Sequence, residues 1–151
     1  MPVATLAEIQ ALVGREIGVS PWIDVPQTSI DNFADVTGDH QFIHVDAEAA
    51  AQTPFGGTIA HGFLTLSLLS QMGATAMRIP DTAKMVVNYG FDKVRFIAPV
   101  KSGARVRGRF TLSDIAEKRP GQWQIVHAVT VEIEGEERAA LQADWIGLIF
   151  T

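Results

Sequence analysis

The second half of the chain alternates. Val106, Gly108, Phe110 and Leu112 fall on one parity, with Arg105, Arg107, Arg109 and Thr111 on the other, which is the period of a half-buried β-strand. The same period puts Trp123, Ile125, His127, Val129, Val131 and Ile133 on one face of a further strand. It does the same for Ala139, Leu141, Ala143, Trp145, Gly147 and Ile149. Between Met85 and Phe96 the inward parity slips: Met85, Val87, Tyr89 and Phe91 lie on one register, Val94 and Phe96 on the other. Gly90 sits near the slip, which predicts a bulge or sharp bend. Turns are expected at Pro99–Val100, Pro120–Gly121 and Gly135–Glu136.

The first half reads differently. Leu6 to Leu12 has the spacing of a short amphipathic helix ending near Gly14, and Pro21 to Pro26 is a short extended piece around Trp22 and Ile23. Ser29 is placed to cap a helix through Phe33 and Ala34 that ends at Gly38, and Asp46 to cap a second over Ala47 to Gln52. The stretch from Gly38 to Val45 fits neither period and reads as a loop. After Pro54, Gly56 and Gly57, an apolar helix runs from about Thr58 to Met77. It is apolar nearly all round, so it predicts a central helix covered on most sides. Its length approaches a membrane span. It carries His61, Thr65, Ser67, Ser70 and Gln71, however, which favours burial inside a soluble protein. The architecture expected is α+β: one long central helix wrapped by a curved antiparallel sheet, in a single domain covering residues 1–151. Such a sheet leaves open edges, and these predict a homodimer with a shared sheet.

Composition narrows the function classes. Hydrophobic residues make up 47% and charged residues 19%, so the chain can build a core. The formal net charge of −5 argues against a nucleic-acid partner. With no cysteine there are no disulfides, thiolate metal sites or cysteine nucleophiles, and a reducing compartment is favoured. Residues 1–18 lack a basic start followed by an apolar run, so no secretory leader is expected there. These readings point to a cytoplasmic protein without a membrane partner.

The chemistry concentrates in Thr37-Gly38-Asp39-His40-Gln41-Phe42-Ile43-His44. In a loop opened by Gly38, Asp39 and His44 can converge, and a carboxylate beside an imidazole can orient a water and move its protons. By itself the segment also suits a turn-capping aspartate and a packed histidine. A second segment, Gly56-Gly57-Thr58-Ile59-Ala60-His61-Gly62, opens the long helix. Its unpaired N–H groups and positive dipole end could hold a carbonyl oxygen that gains charge. By itself it also suits a glycine-rich helix entry.

Together the two segments resemble the hydratase motif of the MaoC-like dehydratases, the group that includes the R-specific enoyl-CoA hydratases and the NodN-like proteins. The family pattern is a small residue, Gly-Asp, any residue, Asn-Pro, an aliphatic residue and His, followed later by Ala/Val-His-Gly at the central helix. The strand Val87-Asn88-Tyr89-Gly90 and the following Lys93-Val94-Arg95-Phe96 are similar to the NodN-like branch. The resemblance extends from about Trp22 to the last strand.

That resemblance implies a hot-dog fold that dimerises. It also implies reversible syn addition of water to a trans-2-enoyl thioester, giving an (R)-3-hydroxyacyl thioester, on a CoA or acyl-carrier-protein arm. It makes Asp39 and His44 the catalytic pair. The oxyanion and substrate-binding set is Gly62, Ser67, Gln41 and His61, with Gly62 donating its backbone N–H and Ser67 supporting. No metal and no cofactor are implied. Gln41-Phe42 departs from the family Asn-Pro, removing a backbone constraint.

Among other residues, His40 is expected on the surface and His127 buried with its hydrogen bonds satisfied. Tyr89 is expected to pack, and Asn88 to line the acyl pocket or pack. Arg95, Arg105, Arg107 and Arg109 either meet phosphates or mark a solvated strand face. A hot-dog thioesterase and a non-catalytic acyl-thioester-binding subunit are the competing functions.

Overall fold

The computed structural model describes all 151 residues, Met1–Thr151. In chain order the elements are β1 (Val3–Ala4), α1 (Leu6–Gln10), β2 (Glu16–Val19), β3 (Ile23–Val25), α2 (Gln27–Thr37), α3 (Phe42–Val45) and α4 (Ala47–Ala51). They continue with α5 (Gly62–Ser67), α6 (Leu69–Ala76), β4 (Ile79–Pro80), β5 (Met85–Phe96), β6 (Ala104–Arg119), β7 (Gln122–Ile133) and β8 (Leu141–Phe150). The large sheet has the order β2-β6-β7-β8-β5, with β3 paired to β6 beyond β2; every pairing is antiparallel. This is the α+β arrangement that the alternating strands and the apolar helix predict.

The helix lies on the inner face of the sheet. Leu64, Leu69, Met72 and Ala76 meet the inward residues of the strands, among them Phe110, Leu112, Val129, Leu141 and Trp145. Met72, Phe110, Leu112 and Leu141 are wholly buried, each worth about 1.5–3 kcal/mol against exposure. The expected helix from Thr58 to Met77 is shorter and interrupted. Residues 58–61 stay extended because segments distant in sequence take their backbone groups: Ile59 N–H donates to Ile43 O in α3 at 3.0 Å and Ala60 N–H to Val100 O, between β5 and β6, at 2.7 Å. A turn at Leu68 separates α5 from α6, yet the bonds Leu68 N–H to Leu64 O and Met72 N–H to Leu68 O carry the ladder through it. The helix is also less covered than its composition suggests, since Phe63, Ser67, Ser70 and Gln71 are exposed.

Strand β5 is an edge strand, and it has two irregularities rather than one. Its register against β8 shifts between Asn88 and Gly90 and again between Phe91 and Lys93, leaving Tyr89 and Asp92 unpaired. The inward residues are therefore Val86 and Asn88, then Phe91, then Val94 and Phe96. The expectation that Met85, Val87 and Tyr89 face inward is overturned, and Tyr89 is 66% exposed rather than packed.

Smaller differences lie in the first half. Helix α2 starts at Gln27 after Pro26, so Ser29 is inside it and caps nothing. The stretch expected as loop contains the single turn α3, closed by His44 N–H to Gln41 O at 2.9 Å. Asp46 caps α4 as expected, accepting from the N–H groups of Glu48 and Ala49. The arginines of β6 lie on the solvated face and are engaged within the chain: Arg105 with Glu134, Arg107 with Glu132, and Arg109 with Glu132 and Glu16.

Candidate active site

Helix α2 ends where Gly38 takes a left-handed φ of 76°, its N–H bonded to Ala34 O at 2.8 Å. A residue with a Cβ resists that conformation. The turn redirects the chain at Asp39, an exposed residue whose Oδ1 accepts the Gln41 N–H at 3.3 Å. One turn later α3 presents His44, which is only 6% exposed. His44 Nδ1 lies 2.7 Å from Ile59 O. A carbonyl can only accept, so Nδ1 carries the proton of the neutral ring and Nε2 keeps its lone pair.

His61, at the cap of α5, is held the same way. Its Nε2 donates to the backbone oxygen of Asp39 at 2.9 Å, which leaves Nδ1 as a buried lone pair with no partner in the protein. The two imidazoles stack with centroids 3.8 Å apart and planes at 25°, and Phe33 packs against His61 at 5.0 Å. One nitrogen of each ring and one Asp39 carboxylate oxygen all lie within 4.8 Å of one another. A single water oxygen, at about 2.8 Å from each of two partners, can bridge such a gap. The same three groups are of metal-ligating type, but lone pairs held in nearly parallel stacked planes converge poorly on one ion. They suit a shared water or proton better.

Gly62 is the first helical residue, and no backbone acceptor takes its N–H. A Cβ there would sit 3.0 Å from the Phe96 ring, so glycine keeps strand and helix in contact. His44, Gly62, Thr65, Phe96 and Ala98 line a cavity of about 280 Å³. His44, the free Gly62 N–H and the cavity therefore meet at the entry of the helix, and the Asp39 carboxylate lies within 4.8 Å of an imidazole nitrogen of His44.

Two residues important to this geometry carry no local signal in the sequence. Gln27 donates from Nε2 to His44 O at 2.7 Å and to Asp31 Oδ1 at 2.8 Å, and its Oε1 accepts from Thr58 Oγ1 at 2.6 Å. It thereby ties α2, α3 and the segment before α5 together. Thr65, buried beside the cavity, returns its hydroxyl to His61 O at 3.4 Å.

The remaining candidates are dispersed. Ser67 donates back to Phe63 O at 2.7 Å and lines a different cavity, with Leu66, Asn88 and Phe91, so it does not join Asp39 and His44. A helical step of five residues from Gly62 turns it to another face. The Gln41 side chain is exposed, while its backbone carbonyl starts the α3 turn. His40 is exposed as expected and pairs with Asp35 at 2.9 Å, whose hydrogen bond raises its pKa above the ordinary value. Arg95 reaches only its neighbour's Val94 O and is free toward solvent. His127 is buried as expected but not satisfied: its Nε2 has no partner, and burial pushes its pKa down to about 4.

A family model described as "MaoC like domain" matches residues 8–136. Nodulation protein N of Rhizobium leguminosarum bv. viciae is 55% identical over 146 residues, covering 96% of this chain and 91% of that protein. The 3-hydroxyacyl-thioester dehydratase Z of Mycobacterium tuberculosis is 43% identical over 142 residues, covering 94% and 93%. The crystal structure of the MaoC-like dehydratase from Rhodospirillum rubrum superposes with a TM-score of 0.78 at 21% identity, covering 97% of each chain.

Proposed function

The chain belongs to the MaoC-like dehydratase family, with the hot-dog fold, and from that premise we propose that it hydrates trans-2-enoyl thioesters reversibly to (R)-3-hydroxyacyl thioesters. The observation that carries this reading is the convergence of the Asp39 carboxylate and an imidazole nitrogen of His44 within 4.8 Å, beside the unpaired N–H of Gly62.

The residues divide the work by chemistry. A water donates its hydrogens to the Asp39 carboxylate and to His44 Nε2, both of which can accept. Its oxygen attacks C3 of the enoyl group while the electron pair moves toward the thioester oxygen. The Gly62 N–H, at the positive end of the helix, meets that oxygen as it gains charge. The proton taken from the water returns to C2 from the same side, so addition is syn. Dehydration is the reverse. His61 fixes the Asp39 backbone and one face of the His44 ring and acts as a positioning residue.

The Gln41-Phe42 substitution fits a working loop. Phe42 is the first residue of α3, where a proline is tolerated because that N–H has no helical partner, so losing the proline leaves the turn intact. This weakens the non-catalytic-subunit reading, and the Asp39–His44 convergence disfavours a thioesterase. The proposal extends to a homodimer joined along β5, whose free edge exposes Met85, Val86, Val87, Tyr89, Phe91 and Phe96. It also extends to a cytoplasmic site of action; no helix is long and apolar enough to cross a membrane.

The test is loss of enoyl-thioester absorbance with crotonyl-CoA and longer analogues, with product stereochemistry determined. Asp39→Asn and His44→Ala should each remove most of the activity. Full activity in both variants would overturn the assignment.

A further inference from the structure

A cavity of about 240 Å³ lies under Ser70, Ala74 and Met77 and against Val86, Asn88 and His127. Its walls are mostly apolar, with Trp145 closing the sheet side. His127 is one of its lining residues; the residue is only 3% exposed, and its Nε2, sealed behind the cavity wall, has no hydrogen-bond partner. A buried polar atom left unpaired in this way is uncommon and calls for a partner from outside the chain.

The cavity is in line with the site at Gly62. The helix runs from Gly62 to Ala76 while β5 runs back from Phe96 to Met85, and cavities follow one another along the seam. One lies at Gly62 and Phe96 and the next at Ser67 and Phe91. The third, the cavity at His127, shares Ser70, Asn88 and Trp145 with the second. Eight residues separate Gly62 from Ser70, about 12 Å at the helical rise. A long acyl chain whose carbonyl sits at Gly62 can reach that far.

We propose that His127 is a specificity residue that pairs with a neutral oxygen, a hydroxyl or a ketone, carried on the distal part of a long acyl chain. This rests on the reading of the chain as an acyl-thioester enzyme. A plain alkyl end fills the cavity but leaves Nε2 unpaired, whereas an oxygenated chain satisfies it once a small turn of the ring opens that nitrogen to the cavity. Burial holds the ring neutral near pH 7. A neutral ring can donate to a ketone or accept from a hydroxyl, according to its tautomer. It lacks the charge that would favour a terminal carboxylate.

The experiment uses saturated ligands, which cannot be hydrated. Calorimetric Kd values for lauroyl-CoA and ω-hydroxylauroyl-CoA are compared in the wild type, His127→Leu and His127→Gln, and the imidazole ¹⁵N resonances are followed in the wild type. The expected result is that the preference for the hydroxylated chain falls about tenfold in His127→Leu, the scale of one hydrogen bond, and is partly kept in His127→Gln. The Nε2 resonance should move with the hydroxylated ligand alone. An unchanged preference in His127→Leu, an unmoved resonance, or no binding of either ligand overturns the proposal. Should His127→Leu fail to fold, the wild-type resonance decides. Hydration of a trans-2-enoyl-CoA by the wild type is measured alongside. Turnover with a flat Kd ratio sinks the cavity proposal alone, and a changed ratio without turnover sinks the hydratase reading alone.

Discussion

His44 and His61 hold each other by exchange: their rings stack at 3.8 Å, and each donates to a backbone carbonyl in the other's segment, His44 to Ile59 and His61 to Asp39. Both tautomers follow from those two carbonyls: the lone pair rests on Nε2 in His44 and on Nδ1 in His61.

His61→Phe keeps an aromatic ring against His44 but removes the donor to Asp39 O. Because that bond positions the carboxylate without touching substrate, kcat should fall about tenfold while KM changes little. Steady-state kinetics with an enoyl-CoA separate the two; a rise in KM at constant kcat would assign His61 to substrate binding instead.

Phe42→Pro should be tolerated. Gln41 has φ −57° and ψ 133°, the extended conformation a residue before proline prefers, and position 42 opens α3. Thermal unfolding should show a gain of about 0.4–1 kcal/mol from the stiffer unfolded chain. A clear loss would mean that the exposed Phe42 ring contributes packing beyond this protomer.

Acid should destabilise the protein through His127. Its pKa in the folded chain is about 4 against an ordinary 6.5, with burial as the cause. Between those values the unfolded chain binds a proton that the folded chain refuses. Stability is therefore complete above the ordinary value and declines as pH falls through the window. The loss reaches about 3 kcal/mol at about 1.4 kcal/mol per pH unit. Denaturant melts at pH 7.5 and 5 should show His127→Leu losing about 2 kcal/mol less than the wild type over that interval. Equal losses would remove His127 from the account.

Tyr89→Glu should weaken self-association along β5. Tyr89 is the exposed bulge residue of the free edge, and a charge desolvated in a shared sheet is costly. Sedimentation velocity should show a wild-type dimer and a shift toward monomer in the variant. A wild-type monomer would instead leave the apolar edge unexplained.

How much of this was legible depends on the range of the interaction. The strands β6, β7 and β8 follow from their alternation, and the Asp39–His44 loop from its motif and Gly38. The motif also marked His61, though its stacking on His44 belongs to the fold. The helix begins four residues later than its composition suggests because the carbonyls that accept from Ile59 and Ala60 come from Ile43 and Val100, far along the chain. Gln27 carries no signal for the same reason: two of its three partners, His44 and Thr58, lie far along the chain. The parity of β5 was misjudged because an apolar edge strand offers no polar face to set its register. The family resemblance puts Ser67 near the catalytic pair, whereas helical rotation carries it away.

The paired bulges of β5 let its length vary without turning its inner face. Each bulge takes up one unpaired residue, so Asn88 opposite Gly147, Phe91 opposite Trp145 and Phe96 opposite Leu141 all face inward although their sequence parity alternates. Deleting either Tyr89 or Asp92 would remove one bulge and its added twist while leaving Phe96 opposite Leu141, still packed on Gly62.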